Sequence, residues 1–327
     1  MKKFPAPRLA VVLFAALCAS CVRLTDVETL ISQERYAEAF EDVRLLAKFG
    51  DAKAQNILGW MTENGYGTNK NFEDAAHWYR ESALQDLPAA QNNLGLMYLE
   101  GRGVARDPAE AAKWFAKAAA SSHSDALNNL GVLYDHGNGV PQNKAEAARL
   151  FAASAKLGTV RAKTNLGVLY KKGEGVPQDL VRARELFEEA AAKQGVRGMT
   201  NLAVMLDEGE GGPADHPRAK ELFKGAALLG EMQAAYRLAK TLLDEADAAS
   251  RNRSTARAAT AGAGSADAAA LRREAYAWAN LAASTGHVRA LELRDALNAS
   301  LPKEEIVAAQ ALSMNISARP EEPASQR

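Results

Sequence analysis

The sequence predicts an all-α fold, a right-handed α/α solenoid of 36-residue helix-turn-helix repeats. Three observations predict it. Glycine recurs every 36 residues at Gly59, Gly95, Gly131 and Gly167, and Ala203 and Ala239 continue the count, in step with Leu58, Leu94, Leu130, Leu166, Leu202 and Leu238. Each unit also carries two apolar stripes at helical spacing. In the second unit these are Ala90, Leu94, Met97 and Tyr98, then Ala111, Trp114, Phe115, Ala118 and Ala119. Finally, Gly-x-Gly separates the stripes at Gly65/Gly67, Gly101/Gly103, Gly137/Gly139, Gly173/Gly175 and Gly209/Gly211. The first glycine of each pair follows the last periodic residue, where a left-handed helix cap is least costly for glycine. Period-two alternation is absent from the sequence, so strands are not expected.

The elements follow in order. Residues 1–20 join a basic start (Lys2, Lys3, Arg8) to the uncharged apolar run Leu9 to Leu17, too short to span a bilayer and suited to a signal-peptide core. Residues 21–34 are expected to be a linker. Tyr36, Ala37, Ala39 and Ala47 align one period before the second helix of the first full unit, so 35–50 form an N-terminal capping half-repeat. Five repeats occupy 51–230. A sixth, within 231–300, opens with Ala234, Leu238 and Ala239 and is then interrupted, because Trp278 stands 56 residues after Leu222, an excess of 20. The excess falls within Asp244 to Asp267, which is rich in Ala, Ser, Arg and Gly without an apolar period. A flexible loop over about 245–270 is expected there, although its alanines also suit a helical extension. A capping helix follows Pro302 within 301–317, and the Pro/Glu/Ser-rich tail 318–327 is expected to be disordered.

The run from Ala126 to Gln142, Ala-x-x-Asn-Leu-Gly-x-x-Tyr-x-x-Gly-x-Gly-Val-Pro-Gln, returns from Ala162 to Gln178 and is followed each time by an Ala-x-x-Leu-Phe-x-x-Ala-type helix. This pattern resembles the Sel1-like repeat, a relative of the tetratricopeptide repeat, over roughly Arg35 to Asn298. The fifth unit departs from it. Ala203 replaces the glycine, Leu206 the tyrosine, and the loop reads Gly209-Glu210-Gly211-Gly212-Pro213. The resemblance implies a protein–protein interaction scaffold with its first helices lining a concave face.

Leu17-Cys18-Ala19-Ser20-Cys21 resembles a bacterial lipobox, which makes Cys21 the candidate lipidation site and a periplasm-facing outer-membrane lipoprotein the expected product. By family analogy Val22, rather than an aspartate, favours the outer membrane. The alternative is simple cleavage after Ser20 and a soluble periplasmic or secreted chain. Both cysteines lie in this segment, so stacking alone must hold the repeats together. The whole chain carries 40 Lys+Arg and 40 Asp+Glu; losing residues 1–20 leaves 37 cations against 40 acids, a net charge of −3. Nucleic acid is therefore not an expected partner.

Catalytic chemistry is hard to find. His77, His123, His136, His216 and His287 show no metal-ligand spacing, and no His-Glu-x-x-His occurs. His77 is expected to pack at a solvent edge beside Trp78, and His136 to lie in an inter-helix loop. Glu188, Glu189, Asp207 and Glu208 mark solvated helix faces. No catalytic, cofactor or metal residue is assigned, no cofactor is expected, and the chain is not read as an enzyme.

One ladder suits binding. Asn93, Asn129, Asn165 and Asn201 recur on the first helices, with Asn92 and Asn128 beside two of them. An amide donates and accepts, so such a column fits an extended peptide backbone. It equally fits a structural role, bonding a neighbour and setting the repeat spacing. Asn92 and Asn128 are the better candidates for an exposed contact. The function expected is thus an envelope scaffold or adaptor for an unidentified protein or peptide. An accessory subunit of an envelope export, secretion or polysaccharide assembly is the alternative, and a cell-wall hydrolase the third reading.

Overall fold

The computed structural model describes residues 23–255 and 263–317. Among the described residues there are sixteen helices and no strand. They are α1 (Leu24–Ser32), α2 (Tyr36–Lys48), α3 (Ala52–Asn64), α4 (Phe72–Ala83), α5 (Pro88–Glu100), α6 (Pro108–Ala120), α7 (Ser124–His136), α8 (Lys144–Lys156) and α9 (Val160–Lys172). They continue as α10 (Leu180–Ala191), α11 (Val196–Glu208), α12 (His216–Leu228), α13 (Met232–Thr255), α14 (Ala263–Ser284), α15 (Val288–Ser300) and α16 (Lys303–Ser317). Odd-numbered helices from α3 to α13 are the first helices of repeats and even-numbered ones from α4 to α14 the second. The segments 1–20 and 318–327, with Cys21, lie outside the described residues.

The second-type helices from α4 to α12 each start on a side-chain cap with the period of the repeat. Asn71, Asp107, Asn143, Asp179 and Asp215 each accept from a backbone N–H in the first turn of α4, α6, α8, α10 and α12. In α6 the Asp107 Oδ1 accepts from Ala109 N and Glu110 N at 3.0 Å each, with Pro108 opening the helix. Such a cap answers N–H groups that have no partner within the helix, for about 1 kcal/mol. The same residue closes the loop, because Asp107 N donates back to Tyr98 O at 2.8 Å, and Asn143 N to Tyr134 O at 2.9 Å.

The two glycines of each Gly-x-Gly have different tasks. Gly101 ends α5 at φ 72°, and its N–H and that of Arg102 both donate to Met97 O, at 2.9 and 3.0 Å. Gly103 is a close approach: a Cβ there would stand 1.9 Å from Phe72 O, at the start of the preceding second-type helix. The departing fifth loop keeps the same conformation, with Gly209 at φ 70° and Gly211 at 69°.

The turn between repeats also needs a left-handed residue. Gly50, Asp86, Ser122, Gly158, Gln194 and Gly230 all have positive φ and stand 36 residues apart; Gly286 resumes the series after the insert.

The described chain divides into two compact units. The first holds the residues up to Ala162 with 174–176, the second 163–173 and those from Pro177 onward. Within each, a helix packs mainly on its neighbours in sequence: α1 through α8 in the first unit, α10 through α16 in the second. In the first unit the ring of a second-type helix lies on the glycine of its own first helix. Tyr79 meets Gly59, Phe115 meets Gly95, and Phe151 meets Gly131. In the second unit Phe187 meets Gly167, and one core runs from Phe187 and Leu202 through Phe223 to Trp278 and Ala309.

Two sequence expectations need correction. The linker 21–34 contains a helix, α1, whose Val27 is fully buried with Leu24, Leu30 and Ile31 packed around the same cluster as α2. The N-terminal cap is therefore a helical hairpin rather than a lone helix, since Val27 offers α2 an apolar face that one helix could not cover. The flexible loop at about 245–270 is helical on both sides. α13 runs to Thr255 and α14 starts at Ala263, leaving only 256–262 outside the described residues. Alanine's helix propensity lengthens both arms, and tertiary contacts hold them: Ala246 and Ala268 are buried, and Arg272 Nη2 reaches Asp247 Oδ1 at 2.9 Å and Ser250 Oγ at 3.3 Å.

Candidate functional site

The asparagines of the first-type helices form rungs between successive repeats. Asn93 Nδ2 donates to Asn56 Oδ1 at 3.1 Å, joining α5 to α3. Asn129 Nδ2 donates to Asn92 Oδ1 at 3.0 Å, joining α7 to α5. Asn128 Nδ2 lies 3.5 Å from Asn129 Oδ1. In the Asn92-Asn93 pair, Asn93 donates to the repeat before and Asn92 accepts from the repeat after. Asn93 and Asn129 are half-buried in the first unit, as are Asn165 on α9 and Asn201 on α11 in the second.

Asn92 and Asn128, expected to be the exposed pair, are instead buried at 7% and 3% exposure. One residue back along a helix is a rotation of about 100°, enough to turn them from the face that Asn93 and Asn129 occupy into the space between helices. In the fourth and fifth repeats their places are taken by Thr164 and Thr200, both buried, and Thr200 Oγ1 donates to Val196 O of its own helix at 3.1 Å.

A second polar cluster in the first unit escaped the sequence reading. The Tyr79 phenol donates to Glu63 Oε2 at 2.7 Å, and Arg102 pairs with Glu63 while its Nε lies 2.7 Å from Glu100 Oε2. The Arg102 guanidinium also stands 5.7 Å from the Phe72 ring centroid. Burial first, and the Glu63 charge second, push the Tyr79 phenol far above its ordinary range. At neutral pH it is thus a protonated phenol that donates to Glu63. Tyr79 and Glu63 share no periodic signal, and only the helix hairpin brings them together.

The histidines are structural. His123 and His287 cap α7 and α15, accepting at Nδ1 from Ala126 N (3.3 Å) and Ala290 N (3.2 Å). The His287 Nε2 then faces Gln233 Oε1 at 2.9 Å, which assigns the proton to Nε2. His216 Nδ1 meets Asp207 Oδ1 at 2.9 Å, and exposed His77 packs edge-on against Trp78. His136, expected in the loop, is the last residue of α7, where its Nδ1 approaches Val132 O at 3.0 Å. Glu188, Glu189, Asp207 and Glu208 all meet cationic or histidine partners. Among the described residues no group of three or more His, Cys, Asp or Glu side chains is placed to hold a metal ion. No described helix is long and apolar enough to cross a membrane.

Two clefts open in the second unit. One of about 380 Å³ lies between α14 and α16, lined by Asn280, Leu281, Ser284, Ser313, Met314 and Ser317. The other, about 570 Å³, is bounded by Leu243, Leu297, Leu301 and Pro302, with Asp247, Arg272 and Glu305 on its walls. Ser300 also lines the second cleft, where its hydroxyl donates to Leu297 O at 3.1 Å.

Comparisons with known proteins agree with this architecture. The family described as Sel1 repeat matches residues 52–87, 88–123, 124–159, 160–194 and 196–231, more than half of the chain. A Sel1 repeat protein from Oxalobacter formigenes is 31% identical, with a TM-score of 0.63 over 67% of this chain and 87% of its own. The protective antigen c5321 of uropathogenic Escherichia coli strains, described as displaying an SLR fold, is 21% identical at a TM-score of 0.49, over 89% of this chain and 84% of its own. A putative Sel1 repeat protein from Klebsiella pneumoniae is 20% identical at 0.42, over 62% and 98% respectively. No curated protein matches the sequence. Repeats of this kind generally serve as scaffolds for protein–protein interaction and are typically non-catalytic. With its periodic glycines, its asparagine rungs and five matched repeats, the chain belongs to the Sel1 repeat family.

Proposed function

We propose that the protein is an interaction scaffold or adaptor of the bacterial cell envelope, holding a protein or peptide against the face of its first-type helices. One observation carries this reading: Asn93 and Asn129 are half-buried on that face and already braced by the repeat before. An amide offers two donors and a two-lone-pair acceptor, so one rung leaves capacity for a ligand. A braced side chain also loses little rotamer entropy when it takes that ligand. The lipobox-like Leu17 to Cys21 supports tethering through a lipid on Cys21 and an outer-membrane address facing the periplasm. The polar clusters that might have suggested catalysis are engaged with one another, which favours holding over turnover.

The test is photo-crosslinking in cells, with the crosslinker placed at Asn93 or Asn129 and, as a control, at exposed Lys113 on the second-type helix α6. A discrete adduct from the asparagine positions and none from Lys113 supports the reading. Adducts only from Lys113 would overturn it. Membrane fractionation of Cys21→Ala tests the tether separately, because the variant should move to the soluble fraction.

A further inference from the structure

The turns that join one repeat to the next make an edge of the first unit with a chemistry of its own. The second-type helices α2, α4 and α8 each end there on an apolar cap, Phe49, Leu84 and Leu157, and these are 50%, 62% and 53% exposed. Lys48, Lys53, Lys117 and Lys156 are exposed at the same edge, and none of them is ion-paired among the described residues. The acids beside them are engaged. Asp51 Oδ1 accepts from Ala54 N at 2.8 Å, Asp86 Oδ1 from Gln91 Nε2 at 3.3 Å, and Asp125 pairs with Arg161 at 3.2 Å. Half-buried Glu81 is the exception.

The Gly-x-Gly edge, at the other end of the same helices, has the opposite character. There the second-type helices open on acids, Glu73 and Asp74 in α4, Glu110 in α6 and Glu146 in α8. Its cations Arg102 and Lys144 are ion-paired with Glu63 and Glu174. Helix dipoles account for acids at helix starts. They do not account for Phe49, Leu84 and Leu157, whose exposure costs apolar hydration.

We infer that the turn edge of the first unit rests on an anionic phospholipid leaflet. Free lysines attract the headgroups and the apolar caps enter the boundary between headgroups and acyl chains. The caps protrude singly, one to a turn, and Ser121 and Ser122 interrupt the series. A fluid leaflet takes up each side chain separately, whereas a protein partner needs a continuous apolar core. The inference rests on the tether proposed above, and chain geometry joins the two. α1 packs as a hairpin on α2, so α1 starts at the turn edge, where α2 ends. With nine residues against thirteen, α1 begins about 6 Å short of that edge. The two residues from Arg23 back to Cys21 span up to about 7 Å. A lipid on Cys21 therefore reaches the level of Phe49.

The experiment is lipid photolabelling. The full chain is placed with vesicles of phosphatidylethanolamine and phosphatidylglycerol that contain a phospholipid bearing a diazirine on its acyl chain, and labelled peptides are mapped by mass spectrometry. Label is expected at Phe49, Leu84 and Leu157 and not at Tyr66 or Val104 of the Gly-x-Gly edge. It should fall several-fold when phosphatidylcholine replaces phosphatidylglycerol. Phe49→Ser/Leu84→Ser/Leu157→Ser should lose it with helicity unchanged. Label on the Gly-x-Gly edge, label confined to residues before Arg23, or equal label on neutral vesicles overturns the inference. So does a discrete protein adduct from a photo-crosslinker at Leu84 in cells. Failure of the tether reads differently, as a Cys21→Ala chain that stays in the membrane fraction.

Discussion

Gly95 lies directly beneath the ring of Phe115. A Cβ on that glycine would come within 2.6 Å of Phe115 Cε1, and Phe115 is fully buried. The contact sets how closely α5 and α6 approach. Gly95→Ala gains about 1 kcal/mol of helix propensity but overpacks a closed core, at about 1–3 kcal/mol. A net loss near 1 kcal/mol is expected in urea denaturation. The fifth repeat, where Ala203 faces the core with Phe223, indicates that the penalty is relieved when neighbours change together.

Gly103 allows no such relief, because its obstacle is the Phe72 carbonyl, a backbone atom. Gly103→Ala adds a left-handed penalty of about 1–2 kcal/mol to overpacking of about 1–3 kcal/mol. A loss of roughly 2–5 kcal/mol is expected, larger than for Gly95→Ala. Similar midpoints for the two variants would refute this ranking.

Gln194 and Ser122 occupy turn positions that glycine fills at Gly50, Gly158 and Gly230. Replacing either by glycine removes left-handed strain at the cost of a floppier unfolded chain, for a net gain of about 0.5–1 kcal/mol. A raised melting temperature in Gln194→Gly is the check. Asp86 is a poorer choice, since its Oδ1 also takes a hydrogen bond from Gln91 Nε2 at 3.3 Å.

The Asn129–Asn92 rung should appear as a coupling. Asn129→Ala strands the buried Asn92 amide and should cost about 1 kcal/mol, as should Asn92→Ala. The double variant should cost less than the two together, because the second change removes a partner already lost. Strict additivity would mean that the rung contributes nothing.

Tyr79→Phe removes a hydrogen bond to a charged acceptor, expected to cost about 1.5–3 kcal/mol at neutral pH. The phenol also carries a pH signature. Its raised folded-state pKa means that above about pH 10, the ordinary tyrosine value, the unfolded chain releases a proton that the folded chain keeps. Stability therefore falls as pH climbs past that point, and it should fall less steeply in Tyr79→Phe. Denaturation at pH 8 and above 10 compares the slopes.

The repeat architecture was legible because it rests on local chemistry copied many times. The glycine column, the two stripes and the loop glycines all announce themselves by period. The Asn71, Asp107, Asn143, Asp179 and Asp215 caps were equally periodic, and the rule that Asn or Asp begins helices would have found them. The asparagine column was visible, but not which member of each pair turned inward, since that depends on about 100° of helix rotation. α1 went unread because nine residues are too few for a clear period. The helices across the insert were masked by alanine, which favours helix without marking a buried face. Tyr79 with Glu63 and Arg102 could not be foreseen, because no spacing rule links an i,i+16 pair to a residue 39 positions from its carboxylate.

The lengthened pair α13 and α14 has a consequence for how this chain tolerates change. The helices have 24 and 22 residues, where other first-type helices have 13. At 1.5 Å per residue each arm gains roughly 14–16 Å of length. The 20 added residues are shared almost equally between two antiparallel rods, so Ala290 and Gly286 keep their places in the pattern as though nothing had been inserted. Such a hairpin behaves like a telescoping strut. Whole turns can be added or withdrawn in matched pairs at its far end, and the fittings at its base never register the change.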